Sequence, residues 1–179
     1  GDHTLTVTGA IDITGDLTCN SSDISAGGIR VNSGGQFDAP DEDGSCSITG
    51  EYLSHAFRIS GDGELVNHDG TITFLNVNSR LMMNGTGNIH NLTLNHASCF
   101  IMLHSDGTTT IEGNLTITAG QLTTYMEGTT TSKDLTVAGK TTIGNASHSS
   151  EDQATLTCNA SAISLGSTKS DDYAIEMLQ

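Results

Sequence analysis

The sequence predicts an all-β chain, a parallel β-solenoid (β-helix) with coils of about 20–23 residues, and three observations carry that prediction. Apolar residues alternate with Thr, Asn or Ser in many short runs, which is the period of a half-buried strand. No stretch places apolar residues at i, i+3, i+4 and i+7, so almost no helix is expected. The runs also recur at a nearly fixed interval: Leu92 to Leu115 is 23 residues, Leu115 to Leu135 is 20 and Leu135 to Leu156 is 21. Such an interval fits one turn of a stack in which each turn pairs with the next.

Taken along the chain, the clearest strands are Thr4-Leu5-Thr6-Val7-Thr8, Thr71-Ile72-Thr73-Phe74, Asn91-Leu92-Thr93-Leu94-Asn95, Asn114-Leu115-Thr116-Ile117-Thr118 and Asp134-Leu135-Thr136-Val137. Leu, Ile and Val fall on one face. Thr falls on the other, where its β-branched side chain suits a pleated surface and its hydroxyl stays solvated. Between the runs, Gly85-Thr86-Gly87-Asn88, Ala119-Gly120 and Ala138-Gly139 supply corners that need positive φ. Asp62-Gly63, Asp69-Gly70, Asn84-Gly85 and Asp106-Gly107 are hairpin signals and favour the alternative, a β-sandwich.

An internal echo links the two ends. Leu5-Thr6-Val7-Thr8-Gly9 and Leu17 to Ser25 reappear as Leu135-Thr136-Val137-Ala138-Gly139 and Leu156 to Ser164, with extra residues placed in the polar Asn145 to Gln153 stretch. The chain opens on Gly1-Asp2 and closes mid-pattern at Met177-Leu178-Gln179, so residues 1–179 read as a single elongated segment of a longer repetitive chain. At about 21 residues per turn it would hold roughly eight coils, a rod on the order of 40 Å long. Exposed strand edges at both ends call for self-association, threefold as in phage fibres, or for neighbouring segments of the same chain.

Composition narrows the function. Of 179 residues, 21 are Asp or Glu and six Lys or Arg, a formal net charge of −15. Phosphate binding needs clustered cations, so nucleic acid is excluded as a partner. No apolar run approaches the roughly 18 residues of a membrane span. Leu, Ile, Val and Phe number 38, near the level at which high charge predicts disorder, and the alternation is what turns the same numbers into a fold with a narrow core.

Gly34-Gly35-Gln36-Phe37-Asp38-Ala39-Pro40, Gly63 to Phe74, Asn91 to Leu94 and Gly113 to Ile117 resemble a low-complexity repeat of β-solenoid segments in bacterial surface adhesins and in structural proteins of environmental, especially marine, phages. Leu135 to Ala146 is similar to the repeats of phage tail-fibre shafts. The resemblance implies a virion or cell-surface fibre, and the function expected of the chain is a structural and attachment element, non-catalytic, with a host-surface glycan as its candidate ligand. A bacterial adhesin passenger domain is the alternative. The resemblance brings no catalytic residue with it.

Four carboxylates stand close together in Asp38, Asp41, Glu42 and Asp43, ahead of Gly44. Hard cations need several oxygens from a short turn, which makes Asp38, Asp41 and Asp43 the candidate calcium ligands. The EF-hand pattern fails, because Ala39 holds its first ligand position and Gly50 the place of its bidentate Glu. A solvated acidic loop is the competing reading, with no cofactor at all. Cys19, Cys46, Cys99 and Cys158 form no C-x-x-C, and the seven histidines no H-x-H or H-x-x-H pair, so buried thiols are expected rather than a metal centre. Cys19 and Cys158 share a place in the echo but lie too far apart to bridge, whereas Cys46 with Cys99 stays open.

Glycan-degrading β-helix enzymes, including tailspikes, need paired carboxylates in a groove and aromatic platforms, yet Trp is absent and Tyr is limited to Tyr52, Tyr125 and Tyr173. A Thr-rich ice-binding face would stack Thr108-Thr109-Thr110 on Thr129-Thr130-Thr131, although the surrounding sequence is irregular. The six N-x-[ST] sites are what a chain rich in Asn, Ser and Thr produces by chance.

Overall fold

The computed structural model describes residues 3–51, 53–124, 132–144, 153–158 and 160–166, and the backbone of 175–177. Strands and no helix occur among them. They are β1 (Thr4–Ile13), β2 (Asp16–Thr18), β3 (Asp23–Val31), β4 (Gln36–Asp38), β5 (Ser45–Ile48), β6 (Phe57–Ile59), β7 (Glu64–Val66), β8 (Thr71–Phe74) and β9 (Asn78–Met83). There follow β10 (Asn91–Leu103), β11 (Thr109–Ile111), β12 (Leu115–Thr123), β13 (Leu135–Val137), β14 (Thr141–Ile143), β15 (Ala154–Thr157), β16 (Ile163–Leu165) and β17 (Ile175–Met177).

The five alternating runs all fall on strands, with Asn114 and Asp134 one residue ahead of β12 and β13, and in β8, β10, β12 and β13 their Leu, Ile and Phe side chains are buried. Every pairing between the described strands is parallel, so the Asp-Gly and Asn-Gly steps join parallel strands and make no hairpin among the described residues. The β-sandwich alternative therefore finds no support.

The solenoid expectation is corrected as well. β3 pairs with β5 through Ile24–Ala26 and with β6 through Ile29–Val31; β10 pairs with β8 through Asn91–Leu94 and with β9 through Phe100–Leu103. The β5–β8 and β6–β9 pairs complete the circuit. The result is a closed six-stranded parallel barrel, with β1, β12, β14, β15 and β17 attached to its sheet and two separate three-stranded sheets, β11-β13-β16 and β2-β4-β7. Closure is possible because β3 and β10 are long and turn a corner within the strand. Gly27-Gly28 makes the first turn, and the exposed Asn95-His96-Ala97-Ser98 stretch makes the second.

The coil interval fails for a related reason. Paired residues are separated by 18 positions at Ile11 and Ile29 and by 34 at Leu122 and Leu156, because the connections differ in length. Leu92 does stand beside Leu115, but Leu115 pairs with Thr141, Leu135 with Thr109 and Ile163, and Leu156 with Leu122. One supposed column is thus divided among separate rows. The echo pairs alike in both copies, Leu5 with Ile24 and Leu135 with Ile163, yet the first pair lies in the large sheet and the second in a small one.

Inside, Phe37, Phe57 and Phe74 are fully buried among Ile29, Ile48, Ile59, Leu81, Leu92 and Leu94. Leu5 is 43 % exposed, since among the described strands β1 pairs on one side only, with β3. Two corner glycines are in the left-handed region, Gly87 at φ +90° and Gly120 at φ +94°. Both belong to predicted corners, which an L side chain would strain.

Candidate functional site

The connections after β4 and β7 run side by side and frame an open groove of about 310 Å³ lined by Asp41, Glu42, Asp43, Asn67, His68 and Asp69. The three predicted calcium ligands reach it in different ways. The Asp38 carboxylate meets His68 Nε2, while Asp41 accepts the Ser21 hydroxyl at 3.0 Å and the Asp43 backbone N–H at 3.1 Å. Asp43 enters that network through its backbone. Nearby, His90 Nδ1 stands 3.5 Å from Asp69, and Glu112 accepts from Asn67 at 2.7 Å and from Asn88 at 2.8 Å. The groove can present carboxylates and imidazoles to a polar partner. No three His, Cys, Asp or Glu among the described residues converge as a metal-binding group. The melting midpoint at about 2 mM calcium is expected to stay within about 1 °C of that in chelator, because only preferential binding to the folded state would raise it.

A second constellation escaped the sequence reading. His55 Nδ1 donates to the Leu53 carbonyl at 2.9 Å, which leaves Nε2 as the acceptor for His104 Nδ1–H at 3.2 Å. The rings are 5.2 Å apart, tilted by 48°. Leu53 and Ser54, at φ +50° and +64°, are consecutive non-glycine residues in the left-handed region, so the loop that delivers His55 is strained. Burial lowers the His55 pKa most; the Leu53 bond and Glu51 oppose it, and Arg58 and Arg80 add to it. Burial also leads for His104, joined by His55, Arg80 and Lys133 and opposed by Asp106.

Both folded-state values therefore lie below the roughly 6.5 of an unfolded imidazole. The unfolded chain takes up protons first, so stability is full above about pH 6.5 and declines as pH falls toward the folded-state values. Thermal midpoints recorded from pH 7.5 to 5 should show that decline, and a His55→Gln/His104→Gln variant should show a shallower one.

The cysteines are free thiols, with Cys19, Cys46 and Cys99 buried and Cys158 half-buried. Burial pushes Cys19 and Cys46 up to about 12, assisted by Asp38 for Cys19 and by Cys19 for Cys46. The thiolate is the reactive form, so Cys19 and Cys46 should resist Ellman's reagent at pH 8 in the folded chain and react fully in denaturant.

The chain matches no protein-family model, and neither a similar curated protein nor a similar solved structure was found. The remaining expectations concern threonines and tyrosines. Thr109 is buried and shares a hydrogen bond with the Ser105 hydroxyl at 2.9 Å, so it does not belong to an outward threonine rank. Thr129-Thr130-Thr131, Tyr52, Tyr125, Tyr173 and most of Asn145 to Gln153 lie outside the described residues.

Proposed function

We propose that this chain is a non-catalytic structural and attachment element on a virion or cell exterior, whose strand surface holds polar side chains toward a glycan. One observation carries the reading: outward polar side chains are tied from one strand connection to the next. Asn91 Nδ2 donates to the Asp69 carbonyl at 2.9 Å, its Oδ1 accepts the Asn114 N–H at 2.8 Å, and Asn114 Oδ1 accepts the Lys140 N–H at 2.8 Å. Ser45 caps Asp23 at 2.7 Å, and Asp106 N–H meets Asn84 Oδ1 at 2.7 Å. Such bridges fix a surface in advance of binding and cut the ordering cost of an encounter. Retention of the full chain on a panel of immobilised surface glycans, with a reducing-sugar assay on the same panel, tests this. Retention without release of reducing ends is expected. Release would overturn the non-catalytic reading, and failure to retain any glycan the attachment reading.

A further inference from the structure

The chain carries −15, yet all three of its arginines lie on one sheet, and in paired strands. Arg30 sits opposite Arg58, and Arg58 opposite Met82. Arg58 stands between buried Phe57 and Ile59, and Arg80 between buried Ser79 and Leu81, so both guanidinium groups leave the core on the same outer face. Arg30 is held by Asp12 through two bonds of 3.1 Å. Among the described residues Arg58 and Arg80 form no ion pair, and the Arg58 Nε is buried with no hydrogen-bond partner. Guanidinium nitrogens in that condition are costly unless an anion reaches them.

The histidine pair occupies the same face. The His104 N–H bonds the Leu81 carbonyl at 2.8 Å, which sets His104 beside Met82 and Arg80, and the strained Leu53-Ser54 loop lays His55 against it. Lys133 adds a further cation, and Glu51 and Asp106 are the carboxylates that act on the pair. With His55 Nδ1 and His104 Nδ1 both donating, His104 Nε2 is the nitrogen left to take a proton, which would turn it into another cationic donor. Surrounding arginines and lysine disfavour a metal ion between the imidazoles and favour an anion.

We infer that Arg58, Arg80, His55 and His104 form an anion-binding site that takes the carboxylate or sulfate groups of an acidic glycan. The inference rests on the attachment reading for its glycan and on the arginine geometry for its anion. Guanidinium groups suit both acids, since a planar fork of donors matches two oxygens at once. Binding should strengthen as pH falls and His104 gains its proton, and a bound anion should raise the apparent pKa of both histidines.

The test titrates the full chain with sulfated heparin oligosaccharides, oligogalacturonate, neutral dextran, polyglutamate and inorganic sulfate at pH 5.5 and 7.5, following the histidine ring protons by NMR. One or both acidic glycans should bind, more tightly at pH 5.5, and shift His55 and His104; Arg58→Gln and Arg80→Gln should each weaken that binding by about tenfold. The Arg58→Gln change removes a buried unpartnered nitrogen and should not lower the melting midpoint, and Arg80→Gln supplies an independent readout. Acidic-glycan binding that ignores both substitutions overturns the site. Equal affinity for polyglutamate overturns the glycan assignment. Sulfate binding that shifts the histidines with no glycan bound keeps the anion site and overturns the attachment reading, whereas dextran binding without histidine shifts does the reverse.

Discussion

Replacing Gly87 by alanine is expected to cost about 4 kcal/mol and to lower the melting midpoint by about 10 °C or more. Two independent penalties meet at this corner. The residue sits at φ +90°, where an L side chain is strained by about 1–3 kcal/mol. An added Cβ would also land on the Leu65 carbonyl oxygen and lie 3.2 Å from the Leu65 Cβ. That carbonyl is backbone on the neighbouring row, where Leu65 N–H bonds the Thr86 carbonyl at 3.0 Å, so neither partner can retreat without breaking the ladder. Gly107→Ala is the control, since no described residue lies within 4 Å of a Cβ there. It should change stability by no more than about 0.5 kcal/mol. Urea unfolding of both variants checks the pair, and equal midpoints would refute the account of the corner.

The contrast between these glycines shows which information is local. Gly87 and Gly120 could be placed at corners from their neighbours alone, as could the inward direction of Leu92, Leu94, Leu115 and Ile117, because a period of two is a property of a few adjacent residues. Partner choice is not. Phe57 meets Ile29 across 28 residues, while Leu92 meets Ile72 across 20, since the chain passes through β4 and β5 between the first two and through β9 alone between the second two. Closure of the ring depends on bends inside β3 and β10, and Asn95 to Ser98 carries no bend signal of its own.

The sites divide the same way. Asp38, Asp41 and Asp43 were conspicuous as neighbours in sequence, but their hydrogen-bond partners Ser21 and His68 come from connections on other rows. His55 and His104 are 49 residues apart and meet only because Phe57, Leu81 and Leu103 share a register. Arg30, Arg58 and Arg80 were three scattered cations in an acidic chain. Their spacings of 28 and 22 become meaningful once β3, β6 and β9 are known to pair in that order.

Truncating Phe57 to alanine is expected to destabilise the chain by about 3–5 kcal/mol, the range for loss of a fully buried ring whose cavity closes only in part. Phe57 has no exposed surface, pairs with Ile29 on one side and Leu81 on the other, and faces Phe37 at a ring-centroid distance of 6.2 Å and a tilt of 55°. Phe37 lies in the small sheet β2-β4-β7, so this contact joins that sheet to the closed ring. A domain of ordinary stability holds only about 5–15 kcal/mol, so the variant should be marginal at 37 °C. Phe57→Leu keeps most of the volume and should lose less than about half as much. A double-mutant cycle of Phe37→Leu and Phe57→Leu, read by urea unfolding, separates the ring contact from general filling. A coupling of about 0.5–1.5 kcal/mol is expected for a tilted aromatic pair. Strict additivity would mean that the two sheets are joined by the aliphatic residues around the rings, and that the aromatic pair contributes volume alone.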